Sequence, residues 1–326
     1  MIRRVVNAAV RRAQELLPSA RPAILMYHRI AQEDFDPWGL AVCPDRFEKQ
    51  MEWIVDHRRT LPLSEFVRRQ RDGCLPKEAI AVTFDDGYAS VANVAAPILR
   101  RLSITATVFI PSELIRRERE FWWDELERIV LQSGVEQLAI NGTAIMLGPK
   151  QTRDRTWRPD DPPSTMRQKT FLSLWSKLST LRDGEREARL EELRVKSDIP
   201  AEPRQTHRPM TPNEAHALAS ETVEFGAHSL THPDLPKLSE VRAAEEIGRS
   251  IADCADLIGH RPRAFAYPYG RYNRSSERLA AQTGYECACT TEPGFVRRSS
   301  SRFALPRVAV GNWDTDTFQR KLLGGG

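Results

Sequence analysis

Two adjacent aspartates, Asp85 and Asp86, stand in the run Thr83-Phe84-Asp85-Asp86-Gly87-Tyr88, and the run His228-Ser229-Leu230-Thr231-His232-Pro233 follows far downstream. One carboxylate and two imidazoles are a standard ligand set for a catalytic divalent ion such as zinc, which keeps three protein ligands and an open position for water. The other carboxylate is then free to serve as a base. The segment Ala79-Ile80-Ala81-Val82-Thr83-Phe84 is a short apolar run that predicts a buried strand. The aspartates therefore fall at its C-terminal end, where catalytic groups of α/β barrels project. Gly87 lets the chain turn sharply, so both carboxylates can reach one cavity. Singly, neither motif is decisive: Asp-Asp-Gly after a strand is often a plain turn, and His-x-x-x-His is often a solvated helix face.

The elements that must hold these groups alternate along the chain. Strand-like runs occur at residues 23–28, 79–84, 106–110, 223–227, 264–267, 286–290 and 307–310, with helical patterns between them. Seven strands separated by helices predict a parallel α/β barrel. One helix is expected from Asp45, where Asp45 and Glu48 form a capping-box-like pair and Phe47, Met51, Ile54 and Val55 share a face. Another starts at Thr211-Pro212-Asn213-Glu214, with proline at the first helical position. Between residues 115 and 205 the rhythm breaks. Residues 138–145 predict a β-hairpin around Asn141-Gly142, a pair suited to a type I′ turn. Residues 151–164 read as a polar, proline-rich loop, and helical patterns follow at 171–181 and 185–195. Residues 116–205 thus form a mixed helical and hairpin insertion, able to shape a cleft, meet a partner or brace the fold. Within it Phe121-Trp122-Trp123 could stack on sugar rings, although aromatics opening a helix more often pack in a core.

With 326 residues, 40% hydrophobic content and a net charge of +4, the composition is that of an ordinary globular protein. Such a charge is too small for a nucleic-acid footprint, so no nucleic-acid partner is expected. No window approaches 18 uninterrupted apolar residues, which argues against a membrane-spanning helix. The five cysteines (Cys43, Cys74, Cys254, Cys287 and Cys289) are odd in number and lack Cys-x-x-Cys spacing, and they read as reduced thiols of a cytoplasmic protein. Cys287 and Cys289 alternate along a strand and should face one side.

Near the start, Ile2, Val5, Val6, Ala9, Val10, Ala13, Leu16 and Leu17 recur at helical spacing among Arg3, Arg4, Arg11 and Arg12. The arginines interrupt any secretory apolar stretch. A basic amphipathic helix here suits either an anionic membrane surface, placing the protein peripherally at the inner membrane, or packing across the outside of the barrel. The expected organisation is an N-terminal helix over 1–19, a barrel over 20–318 carrying the insertion, and a tail over 319–326.

A third motif, Phe265-Ala266-Tyr267-Pro268-Tyr269-Gly270, follows another predicted strand. Together the three motifs resemble those of the polysaccharide deacetylases (carbohydrate esterase family 4): Thr-Phe-Asp-Asp-Gly, His-Ser/Thr-x-x-His and Pro-Tyr-Gly. The resemblance covers residues 20–115 and 206–318 and implies a distorted (β/α)7 barrel. It also implies Asp86, His228 and His232 as metal ligands, and Asp85 as the general base. The ion would be zinc, with cobalt, nickel, manganese and iron as compatible alternatives. The amide of Tyr269, following Pro268, would face the developing oxyanion. The substrate implied is an acetylated saccharide, and the activity is removal of acetyl groups from N-acetylhexosamine units in surface or exopolysaccharide synthesis.

Two departures from the commoner pattern stand out. A deacetylase needs an acid to protonate the departing amine, and the family's usual histidine lies after the third motif, where this chain has none. The run Leu25-Met26-Tyr27-His28-Arg29 instead resembles the Leu-x-Tyr-His of the circularly permuted bacterial exopolysaccharide (poly-N-acetylglucosamine) deacetylases, which implies His28 as the general acid. The commoner third motif also carries an arginine two residues before its proline to orient the catalytic aspartate; Ala266 stands there. Arg263 and Arg307 are candidates, and that role stays open. His260, in a Gly-His-Arg turn, is the next candidate acid. Asp314 and Asp316 read as solvated turn residues, and His57, His207 and His216 as surface or helix positions.

Rival readings are a saccharide- or metal-binding module without catalysis, an O-acetyl esterase on the same machinery, and a two-carboxylate glycosidase. The intact Asp85-Asp86 pair argues against the first. A glycosidase needs two carboxylates about 5 to 9.5 Å apart across its substrate and has no use for two histidines at ligand spacing.

Overall fold

Seven parallel strands close on one another in the computed structural model, which describes residues 20–219 and 223–323. They are β1 (Ala23–Tyr27), β2 (Ala79–Phe84), β3 (Ala106–Ile110), β4 (Val223–Ala227), β5 (Ala264–Ala266), β6 (Cys287–Pro293) and β7 (Leu305–Ala309). Each pairs with the next, and β1 closes the circle by pairing with β2 on one side and β7 on the other. The β6–β7 ladder slips register between Cys289 and Pro293, a local distortion of the ring. All seven strands overlap the runs read from sequence, with β6 ending three residues later and β7 starting two residues earlier than expected, and the architecture is the expected (β/α)7 barrel.

Strand alternation decides what faces inward. Ile24, Ala81, Phe109, Ala264, Ala266, Cys287, Cys289 and Leu305 form one buried cluster inside the ring. Their strand neighbours, such as Leu25, Val82, Val108 and Phe225, pack outward against the helices. The interior is filled by small residues around one large ring. A Cβ on Gly226 would come within 2.4 Å of the Phe109 ring, so glycine is required for β4 to pass it. Cys287 and Cys289 share the inner face as expected, and all five cysteines are free.

Some local expectations fail. The helix Pro44–His57 begins one residue early, with Pro44 at its first position and Cys43 as an N-cap that makes no side-chain bond. Asp45 lies inside the first turn, so it forms no capping box with Glu48, and Val55 is exposed while Trp53 is buried. The Thr211/Glu214 box does form: Glu214 accepts from the Thr211 amide at 2.7 Å, and Thr211 Oγ1 from the Glu214 amide at 3.1 Å. The last helix, Thr315–Leu323, takes up the described part of the stretch expected as a tail, because Phe318 and Leu322 are buried on the barrel. The N-terminal helix expected over residues 1–19 lies outside the described residues. Among the described residues, no helix is long and apolar enough to cross a membrane.

The insertion builds a second core. Its hairpin pairs Gln137–Ile140 with Thr143–Met146 through Asn141 and Gly142, both at positive φ as a type I′ turn demands. Helices Trp122–Glu127, Met166–Leu178 and Asp183–Val195 enclose Trp122, Leu126, Phe171, Leu174 and Leu190. Trp38, from the loop after β1, and Tyr269 pack against this cluster. The insertion therefore sits over the C-terminal ends of the barrel strands.

Candidate active site

The inward positions of four strands continue into the chemistry. In β1 the side Ile24 faces leads on to His28; in β2 the side of Ala81 leads to Asp85; β4 leads to His228, and β7 carries Arg307. His28, Asp85, Asp86, His228 and His232 line one cleft of about 500 Å³. The Asp85 amide donates to the Tyr27 carbonyl at 2.9 Å, so the chain carrying Asp85 runs directly beside His28.

Backbone strain is concentrated here. Asp86, Ser229, His232 and Tyr269 all hold positive φ (67°, 65°, 53° and 57°), a region that residues other than glycine seldom occupy. Gly87 has φ 72°, and a Cβ there would meet Ile110 Cγ2 at 2.8 Å. The strained histidine loop is pinned from both sides. Glu246, buried on the helix Glu240–Ile258, accepts from the amides of Leu230 and Thr231 at 3.1 and 3.0 Å and from Thr231 Oγ1 at 2.7 Å. Arg186 of the insertion reaches the Thr231 carbonyl at 3.3 Å. No motif pointed to Glu246 or Arg186; the helical periodicity that places Glu246 inward was the only available signal.

Asp86 Oδ1 lies 3.5 Å from His228 Nε2 and 3.4 Å from His232 Nε2. Two ligands bonded at about 2.0–2.1 Å to one tetrahedral ion stand about 3.3 Å apart, so the donor spacing fits a zinc-like ion. His228 Nδ1 is 2.7 Å from the Ala266 carbonyl, which fixes its proton there and leaves Nε2 as the donor to the centre. The ring of His232 is held between Trp123 and Tyr269, with centroids at 4.6 and 4.4 Å. Burial works to raise the Asp86 carboxyl, but its bond to His228 and the nearby imidazoles hold it well below the usual range. For His232 burial prevails and pushes the ring down to about 3, so it is a neutral donor.

The partner of Asp85 is Arg307. Its Nη1 and Nη2 donate to the two carboxylate oxygens at 2.7 and 2.6 Å, its Nε donates to the Thr290 carbonyl at 2.8 Å, and Nη1 also reaches Thr83 Oγ1 at 3.2 Å. Burial works to raise the Asp85 carboxyl; the guanidinium outweighs it and keeps the group below the ordinary carboxylate range. The arginine left open between two sequence candidates is thus Arg307. Arg263 precedes the inward Ala264, points outward and meets Glu286 at 3.7 Å.

Other sequence candidates are sorted by the same geometry. His260 lines a separate cleft of about 180 Å³ with Glu224 and Arg263, at the N-terminal ends of β4 and β5, far from Asp85 along the strands. It is therefore removed as the alternative acid. Asp314 accepts from the Thr317 amide at 2.8 Å and caps the last helix, an exposed position as expected. His207, expected at a surface or helix position, is wholly buried in a turn, because the end of the insertion folds down onto the helix Trp122–Glu127. Phe121, Trp122 and Trp123 are core residues, as aromatics opening a helix usually are, but Trp123 also forms part of the cleft wall with Trp38, Trp175 and Tyr269.

A parallel barrel with a buried Asp-His-His cluster and an arginine-paired carboxylate at its C-terminal rim has the donor set and spacing that a metal-dependent hydrolase of the α/β class would use. The profile of the polysaccharide deacetylase family matches residues 72–139 and 195–288, leaving out the middle of the insertion. The chain belongs to this family, hydrolases that act on N-acetyl amide bonds of polysaccharides. It is 20% identical over 293 residues to the YxkH protein of Bacillus subtilis, covering 89% of this chain and 72% of that one. A Staphylococcus aureus poly-β-1,6-N-acetyl-D-glucosamine N-deacetylase is 30% identical over 99 residues, 26% of this chain and 34% of that enzyme. In fold the chain is similar to the Streptococcus pyogenes deacetylase PplD (TM-score 0.60, 20% identity, covering 94% and 98% of the two chains). It is similar also to IcaB from Ammonifex degensii (TM-score 0.57, 17% identity, covering 95% and 99%).

Proposed function

We propose that this chain removes acetyl groups from N-acetylhexosamine units of a poly- or oligosaccharide made as a surface or exopolysaccharide, using a divalent ion, zinc by preference, held by Asp86, His228 and His232. The observation that carries the reading is the free, arginine-held carboxylate of Asp85 beside a three-donor cluster at ligand spacing. An ion bound there would polarise the acetyl carbonyl and acidify water. Asp85, kept ionised by Arg307, takes the proton of the attacking water. His28 gives a proton to the departing amine nitrogen, since an amide anion is a very poor leaving group. The Tyr269 amide donates to the oxyanion, with Pro268 setting the turn. Trp38, Trp175 and Tyr269 offer faces for sugar rings. The staphylococcal relative's stated substrate supports a β-linked N-acetylglucosamine chain as the class to try first.

The test is acetate release from N-acetylglucosamine oligomers by zinc-loaded protein, with reducing ends measured in parallel. Acetate without new reducing ends is the expected result. Reducing ends would instead mean glycosidase chemistry; neither product would leave an O-acetyl esterase, which acetate release from an O-acetylated sugar would reveal, or a module without catalysis.

The basic amphipathic pattern of residues 1–19 supports contact with an anionic membrane surface. The full chain should then co-sediment with anionic vesicles in a salt-sensitive way, and a chain lacking residues 1–17 should not. Vesicle binding that survives the deletion would remove this part of the proposal.

A further inference from the structure

A second set of metal-type donors lies apart from the catalytic cleft, at the root of the insertion. Asp124 and Glu127 stand three residues apart on the helix Trp122–Glu127 and face one way, toward His207 in the turn that ends the insertion. All three side chains are wholly buried, and their ligand atoms lie within 4.8 Å of one another. Two of these atoms, Glu127 Oε2 and His207 Nε2, have no hydrogen-bond partner. An orphaned buried carboxylate oxygen and an orphaned imidazole nitrogen in one cluster are costly unless something joins them.

We propose that Asp124, Glu127 and His207 hold a second divalent ion of the zinc type, a structural one, which ties the start of the insertion to its end. The remaining atoms of the three groups are already engaged in ways that aim the free ones inward. Glu127 Oε1 accepts from Gln132 at 2.8 Å, and Asp124 Oδ2 from the Tyr88 hydroxyl at 2.7 Å. His207 Nδ1 is 2.9 Å from Thr206 Oγ1 and 3.6 Å from Glu33 Oε1, the outer-partner arrangement that leaves Nε2 as the ligand.

Charge bookkeeping agrees. A connected set, part buried and part half-buried, joins the guanidiniums of Arg29, Arg128 and Arg204 to the carboxylates of Glu33, Asp36, Glu120, Asp124 and Glu127 around His207. With the carboxylates ionised and His207 neutral, as metal ligands must be, two negative charges exceed the guanidiniums, the amount a divalent cation cancels. Arg29 and Arg204 approach Asp124 and Glu127 only at 3.4 Å, too long for strong bonds, and so leave room for a stronger partner. One imidazole and two carboxylates suit zinc or a neighbouring transition ion better than magnesium or calcium, which prefer all-oxygen shells.

The consequence reaches the cleft. Asp124 accepts from Tyr88, Tyr88 accepts from the indole of Trp123 at 2.9 Å, and Trp123 packs on His232. The second ion would brace the aromatic wall behind a catalytic ligand without touching substrate.

The test measures zinc bound to the full chain after equilibration with zinc chloride and removal of loose ion. Wild type should hold about two ions, and the His228→Ala/His232→Ala chain, with its catalytic cluster disabled, about one. Adding Glu127→Gln, close in shape and still able to bond Gln132, should bring that to about zero, as should His207→Gln. A chelator should lower the melting temperature of the His228→Ala/His232→Ala chain, and zinc should restore it. No zinc in that chain, or zinc unaffected by both Glu127→Gln and His207→Gln, would overturn the proposal and leave a water as the occupant. Should those variants not fold, a wild-type stoichiometry of one overturns it, and two with a chelator-sensitive melt supports it. Because the readout is bound metal, it stands apart from the outcome of the acetate-release assay.

Discussion

Arg307 and Asp85 lie 222 residues apart in sequence, yet their side chains meet fork to fork with both oxygens bonded at 2.6–2.7 Å and both groups almost wholly buried. The guanidinium does two things for the carboxylate: it fixes its plane beside the ligand cluster, and it keeps it ionised against the pull of burial. Each oxygen keeps a further lone pair for a water proton.

Arg307→Lys should therefore fold but act poorly, because an ammonium cannot reproduce the two-pronged contact. Asp85 is depressed in the folded protein, so the base fails only as pH falls through that low value. Weakening its partner lets burial raise it, and the acid limb of kcat/KM should move to higher pH. Arg307→Ala strands a buried carboxylate and should cost about 3–5 kcal/mol of stability. A pH profile unchanged in Arg307→Lys would reduce Arg307 to a structural role.

Asp86→Ala, His228→Ala and His232→Ala should each weaken binding of the catalytic ion and abolish activity. Asp85→Asn should keep that ion and lose turnover, since an amide keeps the shape but cannot take a proton. Metal analysis beside acetate release separates the two cases. Equal metal loss in Asp85→Asn and Asp86→Ala would show the base and ligand roles to be wrongly divided.

His28→Ala should leave fold and ion in place but slow hydrolysis of a sugar amide by about 10²- to 10⁴-fold. An activated ester, whose leaving group hardly needs a proton, should suffer far less. Burial, ahead of the neighbouring charges, lowers the imidazole below its ordinary value. As an acid it loses its proton as pH rises, so wild-type kcat/KM should fall through a lowered imidazole value, and this limb should be missing in the variant. Equal losses on amide and ester would argue against proton donation.

In the metal-free protein, burial raises Glu127 to about 8 and Asp124 to about 7, despite the nearby arginines. These values exceed the unfolded ones of about 4, so between them the folded chain holds protons that the unfolded chain releases. Stability should then decline as pH rises from about 4 toward 8 and level off above. Glu127→Gln should flatten the slope, and so should zinc, whose ligands are already deprotonated. Denaturant melts with and without chelator across this range read it directly.

Trp175→Ala removes an aromatic that the insertion contributes to the cleft wall, where it meets Tyr269 with centroids 5.6 Å apart. KM for a saccharide chain should rise several-fold, while kcat on a small acetylated ester stays near wild type. A matching loss of kcat on both would mean that the insertion positions the catalytic groups themselves.

Much of this enzyme could be read locally. The seven barrel strands, the hairpin at Asn141-Gly142 and the capped helix at Thr211 arise from apolar runs, turn chemistry and capping, all set by near neighbours in sequence. The residues proposed as ligands and base were visible for the same reason: Asp85 and Asp86 end a strand, and His228 and His232 recur at ligand spacing just after one. What stayed hidden depends on which distant side chains meet when the barrel closes. Strand alternation could say that Arg307 points inward, but only closure of β7 onto β1 and β1 onto β2 aims it at Asp85. The exclusion of His260 needed the ends of the strands to be told apart in space. Glu246 under the histidine loop, and His207 opposite Asp124 and Glu127, are partners chosen by packing, and no periodicity within one segment encodes a partner in another.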